Sequence, residues 1–194
     1  MFYWIIVSIA GVIFRIIFRL KAKGRENIPK AGPVIICANH ISIIDPASLA
    51  FCSRRSIRFI AKKELFKNPV GGWFFRRLNA IPVDRGGNDM AAYRASVSVL
   101  QGGGVLGIFA QGHRMKDGID VKAAKAGVAL FALKTGAAVV PARINATYRL
   151  FSRVSVSFGE PMTFEEYAGA RIKSETLNDV TERIMTEITR LGEA

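Results

Sequence analysis

The sequence predicts an α/β fold in which a largely buried sheet is flanked by helices. Short apolar runs alternate with helix-length segments along most of the chain, and the last of those segments is amphipathic. An uncharged apolar stretch stands in front of the alternation as a separate element. The strand-like runs are PVIICAN (33–39), IRFIAK (57–62), NAIPVD (79–84), GVLGIFA (104–110), AAVVPARI (137–144) and RVSVSF (153–158). Helical segments fall between and after them at 46–52, 68–78, 88–101, 123–134 and 174–191. In the last, Leu177, Val180, Ile184, Ile188 and Leu191 recur at steps of three and four, so one face packs and the other is solvated. No repeat or Pro/Gly-rich linker divides 26–194, which reads as one domain preceded by an appendage at 1–25.

The appendage opens with FYWIIVSIAGVIF (2–14), and Arg15, Arg19, Lys21, Lys23 and Arg25 follow. A secretory signal places positive charge before its apolar run and an A-x-A-like site after it; neither pattern is present, so the segment is expected to be retained. A helix over 2–14 reaches about 20 Å at ~1.5 Å per residue, short of the roughly 30 Å hydrocarbon core of a bilayer. Ser8, Gly11, Arg15 and Arg19 form a narrow polar stripe on an otherwise apolar rod, which favours a helix tilted or lying in the interface. The basic cluster then faces anionic headgroups on the cytoplasmic side. The expectation is a membrane-anchoring helix with a basic flank at 1–25, giving peripheral or monotopic attachment to the cell membrane. A helix buried in the core is the alternative.

Composition narrows the partners. With 50% hydrophobic and 10% aromatic residues the chain is not a disordered tail, and it carries more apolar surface than one small core needs. Against 15 acidic residues stand 28 basic ones, a formal charge of +13, which points to phospholipid headgroups, phosphorylated substrates or nucleic acid. No nucleic-acid motif accompanies the charge, and much of it follows the apolar appendage, so nucleic acid ranks last. Cys37 and Cys52 lack C-x-x-C or zinc spacing and read as small core residues in a reducing setting. No P-loop, G-x-G-x-x-G or H-E-x-x-H is present, so neither a metal nor a bound cofactor is expected.

The stretch CANHISIIDPASLA (37–50) carries the most chemical information. A strand ends in Asn39-His40 and a helix opens at Asp45-Pro46. Five residues along one helix would separate His40 and Asp45 by roughly 140°, at ~100° per residue, so only a strand-to-helix corner lets them meet. Asp45 before Pro46 also has the signature of an N-cap with a first-turn proline. A histidine that donates from one ring nitrogen to a carboxylate is held in one tautomer, and its other nitrogen becomes a base toward a hydroxyl. That is the base half of a Ser-His-Asp triad. No serine stands in a G-x-S-x-G context, so the hydroxyl to be activated belongs to a substrate.

His40-x4-Asp45 within NHISIIDP resembles motif I of the glycerolipid acyltransferases, the 1-acylglycerol-3-phosphate acyltransferase family. AKKELFKNPVGGWFFRRLNAIPVDRG (61–86) is similar to the second block of that family, IFAQGHR (108–114) to the third and VVPARI (139–144) to the fourth. The order and spacing of the blocks strengthen a short motif that is weak alone. The resemblance implies a glycerolipid-acyltransferase-like domain in which the histidine deprotonates the acceptor hydroxyl for direct attack on an acyl thioester, with no acyl-enzyme. The donor would be acyl-CoA or acyl carrier protein, bound as a substrate, and the acceptor a lysophospholipid.

By position, the resemblance also nominates Arg85 and Arg114 for the acceptor phosphate, Lys63 as a weaker third, and Gly112 for a turn whose backbone N–H groups approach that phosphate. The chain departs from the family's third block, F-P-E-G-T-R, at Ala110, Gln111 and His113. Gln111 keeps an acceptor oxygen and loses a charge that would repel phosphate. His113 is an added donor or a plain loop residue. The leading expectation is acylation of 1-acylglycerol-3-phosphate to phosphatidate in phospholipid biosynthesis, with glycerol-3-phosphate or another lysolipid as the nearest alternative acceptor. A non-catalytic basic membrane-binding module is the reading from a different class.

Overall fold

The architecture comes from a computed structural model, which describes residues 2–84, 89–111 and 126–193. The helices are α1 (Phe2–Phe18), α2 (Asp45–Cys52), α3 (Pro69–Arg77), α4 (Met90–Gln101), α5 (Gly127–Thr135) and α6 (Ser174–Arg190). The strands are β1 (Lys21–Lys23), β2 (Val34–Ala38), β3 (Ile57–Lys62), β4 (Ile81–Val83), β5 (Val105–Phe109), β6 (Ala138–Ala146) and β7 (Val154–Phe158). Each strand-like run of the sequence is therefore a strand, and a helix occupies each helical segment as far as the described residues reach. The strand that pattern reading missed is β1. Lys21–Lys23, assigned from the sequence to the basic flank of the anchor, pairs with Ser155–Ser157 of β7 at the sheet edge. Three residues with lysine at both ends show neither an apolar run nor a useful alternation, and only the partner strand reveals them.

One seven-stranded sheet runs in the order β1-β7-β6-β2-β5-β3-β4. Neighbours are parallel throughout except β6 and β7. Central β2 is buried along its whole length, which explains its unbroken apolar sequence VIICA: parallel strands are covered on both faces. Ile35, Cys37, Leu106 and Val139 face one layer, closed by α4, α5 and α6 through Leu100, Ala129, Phe131, Ile184 and Ile188. Val34, Ile36, Val105 and Val140 face the opposite layer, where Leu49 and Cys52 of α2 cover them. Polar caps set where the helices begin. Asp89 accepts from the N–H groups of Ala91 and Ala92 at the start of α4, and Asn68 accepts from Val70 and Gly71 at the start of α3.

α1 lies across the second layer. Tyr3, Val7 and Gly11 are buried, and the first two pack with Ala50 of α2 and with Phe59 and Leu78. Tyr3 accepts a hydrogen bond from Ile57 N at 3.1 Å, and Arg15 donates to Phe51 O at 3.2 Å. Trp4, Ile5, Ile9, Val12, Ile13 and Ile16 point away from the domain and are exposed. The expected polar stripe therefore divides: Gly11 and Arg15 meet α2, and Ser8 stays outside. Among the described residues no helix is long and apolar enough to cross a membrane.

Candidate active site

The parallel strands end together, and the residues that follow them line one edge. His40 follows β2, Lys63 follows β3 and Gln111 follows β5; Tyr148 follows β6, which is parallel to β2. The edge beyond the carboxyl ends of parallel strands is where open α/β sheets place ligands. Asn39 stabilises this edge. Its buried side chain donates to Ile144 O at 3.0 Å and accepts from Ile144 N at 2.7 Å, extending the β2–β6 pairing by one side-chain rung.

The corner after β2 brings His40 and Asp45 together. His40 Nδ1 lies 2.8 Å from Asp45 Oδ2, and the same oxygen accepts from the backbone N–H of Ile41 at 2.6 Å and of Ser42 at 2.7 Å. Asp45 Oδ1 accepts from the Tyr148 hydroxyl at 2.7 Å. Asp45 is fully buried, at 0% exposure, so these donors replace the water it loses. An ionised carboxylate only accepts, so Nδ1 carries the shared proton and Nε2 is left with its lone pair. Nε2 has no partner among the described residues.

The N-cap reading of Asp45 needs correction. Asp45 is the first residue of α2, Ile44 occupies the cap position, and no side chain caps the helix. The carboxylate instead turns back to the preceding loop. Pro46 fits the first turn because the helix leaves the N–H it lacks without an intrahelical partner anyway.

The imidazole is fixed from the side by Phe109, whose ring stacks on it with centroids 4.1 Å apart and planes 18° from parallel. Phe59 extends the stack, 6.0 Å from Phe109 at 13°. Gly107 makes this possible, because a Cβ at that position would collide with the Phe59 ring.

Gln111 is 1% exposed, and neither its Nε2 nor its Oε1 has a hydrogen-bond partner among the described residues. A buried amide without partners is unfavourable by about 1–3 kcal/mol, which suits a group meant to receive a ligand or a water. Lys63 is exposed on a short turn. Asp89 is held below the ordinary carboxyl range first by the Ala92 N–H, and the charge of Lys63 adds a smaller contribution. Lys63 makes no contact with the His40–Asp45 pair. Arg85, Gly112 and Arg114, together with His113, lie outside the described residues.

Sequence reasoning missed Tyr148, Ser48 and Phe109. Ser48 stands one helical turn beyond Asp45, and its Oγ lies 2.9 Å from the Tyr148 hydroxyl. Its spacing from Asp45 placed it on the same face of α2. Tyr148 follows a parallel strand, and the rule for strand ends could have nominated it; its sequence distance from Asp45 could not.

An α/β sheet with a histidine paired to a buried carboxylate at its carboxyl edge defines the class, and the chain belongs to the Acyltransferase family, whose model matches residues 19–145. Particular relatives narrow the class further. The chain is 30% identical over 166 residues to 1-acyl-sn-glycerol-3-phosphate acyltransferase of Streptococcus pneumoniae, covering 82% of this chain and 60% of that protein. It is 28% identical over 178 residues to the Bacillus subtilis protein of the same description, covering 89% and 87%. Among solved structures, the 1-acyl-sn-glycerophosphate (LPA) acyltransferase PlsC of Thermotoga maritima superposes with a TM-score of 0.75 at 27% identity, covering 99% of this chain and 79% of that one.

Proposed function

We propose that the chain transfers a fatty acyl group from an acyl thioester, acyl-CoA or acyl carrier protein, to the free hydroxyl of 1-acylglycerol-3-phosphate, giving phosphatidate. The observation that carries the reading is the pairing of half-buried His40 with fully buried Asp45, with Nε2 unpartnered among the described residues. The relatives named above support the acceptor. His40 Nε2 takes the proton of the acceptor hydroxyl while the oxygen adds to the thioester carbonyl carbon. The C–S bond then breaks and the imidazolium returns the proton to the leaving thiolate. Asp45 holds the imidazole in the required tautomer and stabilises its cation. The chain itself forms no covalent bond.

Gln111 sits two residues beyond Phe109, and its amide, unpartnered among the described residues, is suited to a hydroxyl or phosphate oxygen of the acceptor. It stands where the family pattern has glutamate, which keeps glycerol-3-phosphate or another lysolipid open as acceptor. Arg85, Arg114 and Lys63 with the turn at Gly112 are the candidates for the acceptor phosphate. The exposed apolar face of α1, flanked by exposed Arg19, Lys21 and Lys23, supports peripheral or monotopic attachment to a bilayer with the domain on the cytoplasmic side.

The test is one assay of purified protein on vesicles. It offers 1-acylglycerol-3-phosphate, glycerol-3-phosphate and neutral lysolipids as acceptors, each with acyl-CoA and acyl carrier protein donors, and His40→Ala is run beside the wild type. Phosphatidate formation from one donor, reduced by ~10²–10⁴-fold or more in His40→Ala, is expected. A folded His40→Ala protein acting at the wild-type rate would overturn the mechanism, and turnover only with a neutral acceptor would overturn the substrate.

A further inference from the structure

Asp45 has two carboxylate oxygens, and its own loop occupies only one. Oδ2 collects His40, Ile41 and Ser42, whereas Oδ1 is held from across the fold by the hydroxyl of Tyr148. Ser48 Oγ completes the chain at 2.9 Å; with the tyrosine proton committed to Asp45, Ser48 donates its own to Tyr148. Tyr148 is in turn held from outside. Its backbone has φ +50, a left-handed conformation that a tyrosine adopts only when its surroundings impose it. Those surroundings include α1: the Tyr148 ring meets Phe18 edge-on at 5.8 Å and Phe14 at 6.5 Å. Phe151 N donates to Ile17 O at 2.8 Å, tying the segment after β6 to the end of the same helix.

We infer that Tyr148 is a positioning residue for the His40–Asp45 pair, itself held in place by α1, so that the helix bearing the exposed apolar face also sets the orientation of Asp45. The inference rests on the reading of His40 as base. Three donors already restrain Oδ2, two of them backbone N–H groups of its own loop; the Tyr148 donor on Oδ1 adds a fourth restraint, anchored beyond β6 rather than in that loop, against the rotation about Cβ–Cγ that would turn Oδ2 away from Nδ1. Tyr148 is suited to permanent donation. Burial, with a smaller contribution from the Asp45 charge, pushes its hydroxyl well above the ordinary tyrosine range, so the proton stays on oxygen wherever the enzyme works.

The hydroxyl also draws negative charge from the carboxylate. Removing it leaves Asp45 a stronger partner for the imidazolium, so the acid limb of the pH–rate profile moves to higher pH. The Cys52 thiol on α2 also acts on Tyr148, and the guanidinium groups of Arg25 and, more weakly, Arg15 act on that thiol in turn. Burial pushes Cys52 up to about 11, which leaves it neutral through the range in which a histidine titrates, and a guanidinium keeps its charge there.

The experiment measures kcat, acceptor KM, pH–rate profile and melting temperature for full-length wild type, Tyr148→Phe, Phe18→Ala and His40→Ala, with 1-acylglycerol-3-phosphate in vesicles. Tyr148→Phe keeps the ring and its packing. It should melt close to the wild type, lose roughly tenfold or more in kcat, hold acceptor KM within about twofold, and shift its acid limb upward. Phe18→Ala retains the hydroxyl and loosens its support, and should change kcat and the acid limb in the same directions by less. A Tyr148→Phe protein with the wild-type kcat and acid limb overturns the inference. So does a fall in kcat with the acid limb unmoved, which would make Tyr148 a brace of the fold. A Phe18→Ala protein identical to wild type removes α1 from it. Activity retained by His40→Ala would instead condemn the base reading, a failure distinct from any of these.

Discussion

The two faces of the sheet are finished in opposite ways. Behind one face α6 turns Val180, Ile184, Met185 and Ile188 inward and leaves Asp179, Glu182, Arg183 and Arg190 in solvent. Its outer surface is stitched by surface pairs such as Arg183 with Glu166 at 2.8 Å. Behind the other face α1 buries only Tyr3, Val7 and Gly11, and turns isoleucines and a tryptophan outward. Both helices have 17 residues and both cover a layer of the same sheet. α6 ends the protein at water, whereas α1 leaves an apolar surface still to be covered. The His40–Phe109–Phe59 stack and Tyr148 also belong to the α1 side. The candidate catalytic corner therefore sits on the side of the sheet where α1 leaves apolar surface exposed, and not on the side that α6 closes.

The sharpest way to break this contrast is at Asp45. Asp45→Asn keeps the size of the side chain and removes the charge that holds the imidazole tautomer. Turnover should fall by ~10² or more, read by initial rates on vesicles, while the melting temperature moves little. A small rate loss would show that Asp45 serves the corner rather than the chemistry. On the closed face, Ile184→Ala should do the reverse: a fully buried side chain is deleted and stability drops by about 2–5 kcal/mol, measured by urea unfolding. Turnover per folded molecule should stay at the wild-type value. Loss of turnover without loss of stability would erase the division between the two faces.

The outer side of α1 offers a milder test. Ile9 and Ile13 are 60% and 53% exposed, so replacing both with lysine should leave the melting temperature within a few degrees. Partition onto neutral vesicles, followed by sedimentation, should fall at least about tenfold, because two apolar side chains no longer enter lipid. Unchanged partition would show that α1 does not face the bilayer. The smallest effect is expected of the thiols. Burial pushes Cys37 up to about 12 and Cys52 up to about 11, and the reactive thiolate forms only as pH rises toward those values. At pH 8 the folded protein should resist iodoacetamide, scored by mass, and become alkylated only when unfolded in urea. Rapid labelling of either thiol in native protein would mean that its layer opens.

Much of this contrast was already legible from local pattern. The period of Val180, Ile184 and Ile188 identified α6 and its inward face, because a helix facing water must separate its apolar and polar sides at 3.6-residue spacing. The all-apolar run at β2 marked a strand covered on both sides. The spacing of His40 and Asp45 required a corner, and the corner is there. β1 escaped because its only apolar residue is Ala22 between two lysines, and its stability comes from backbone pairing with β7. The polar stripe on α1 was misjudged at Gly11 for a related reason. A residue without a side chain gives no sign of which side a neighbour approaches, and Phe51 approaches there.

By itself the sequence determined the order of strands and helices apart from β1, the inward face of α6, the corner that joins His40 to Asp45, and the four blocks by which the chain resembles its family. These depend on residues near one another along the chain, where periodicity and loop geometry act directly. Only the tertiary structure decided the order of strands across the sheet, the stacking of Phe109 on His40, the burial of Gln111 and the grip of Tyr148 on Asp45. Those contacts join residues far apart in sequence, and Tyr148 and Asp45 are separated by 103 positions. No local propensity encodes such a meeting; it follows from the parallel register that brings the ends of β2 and β6 to the same edge.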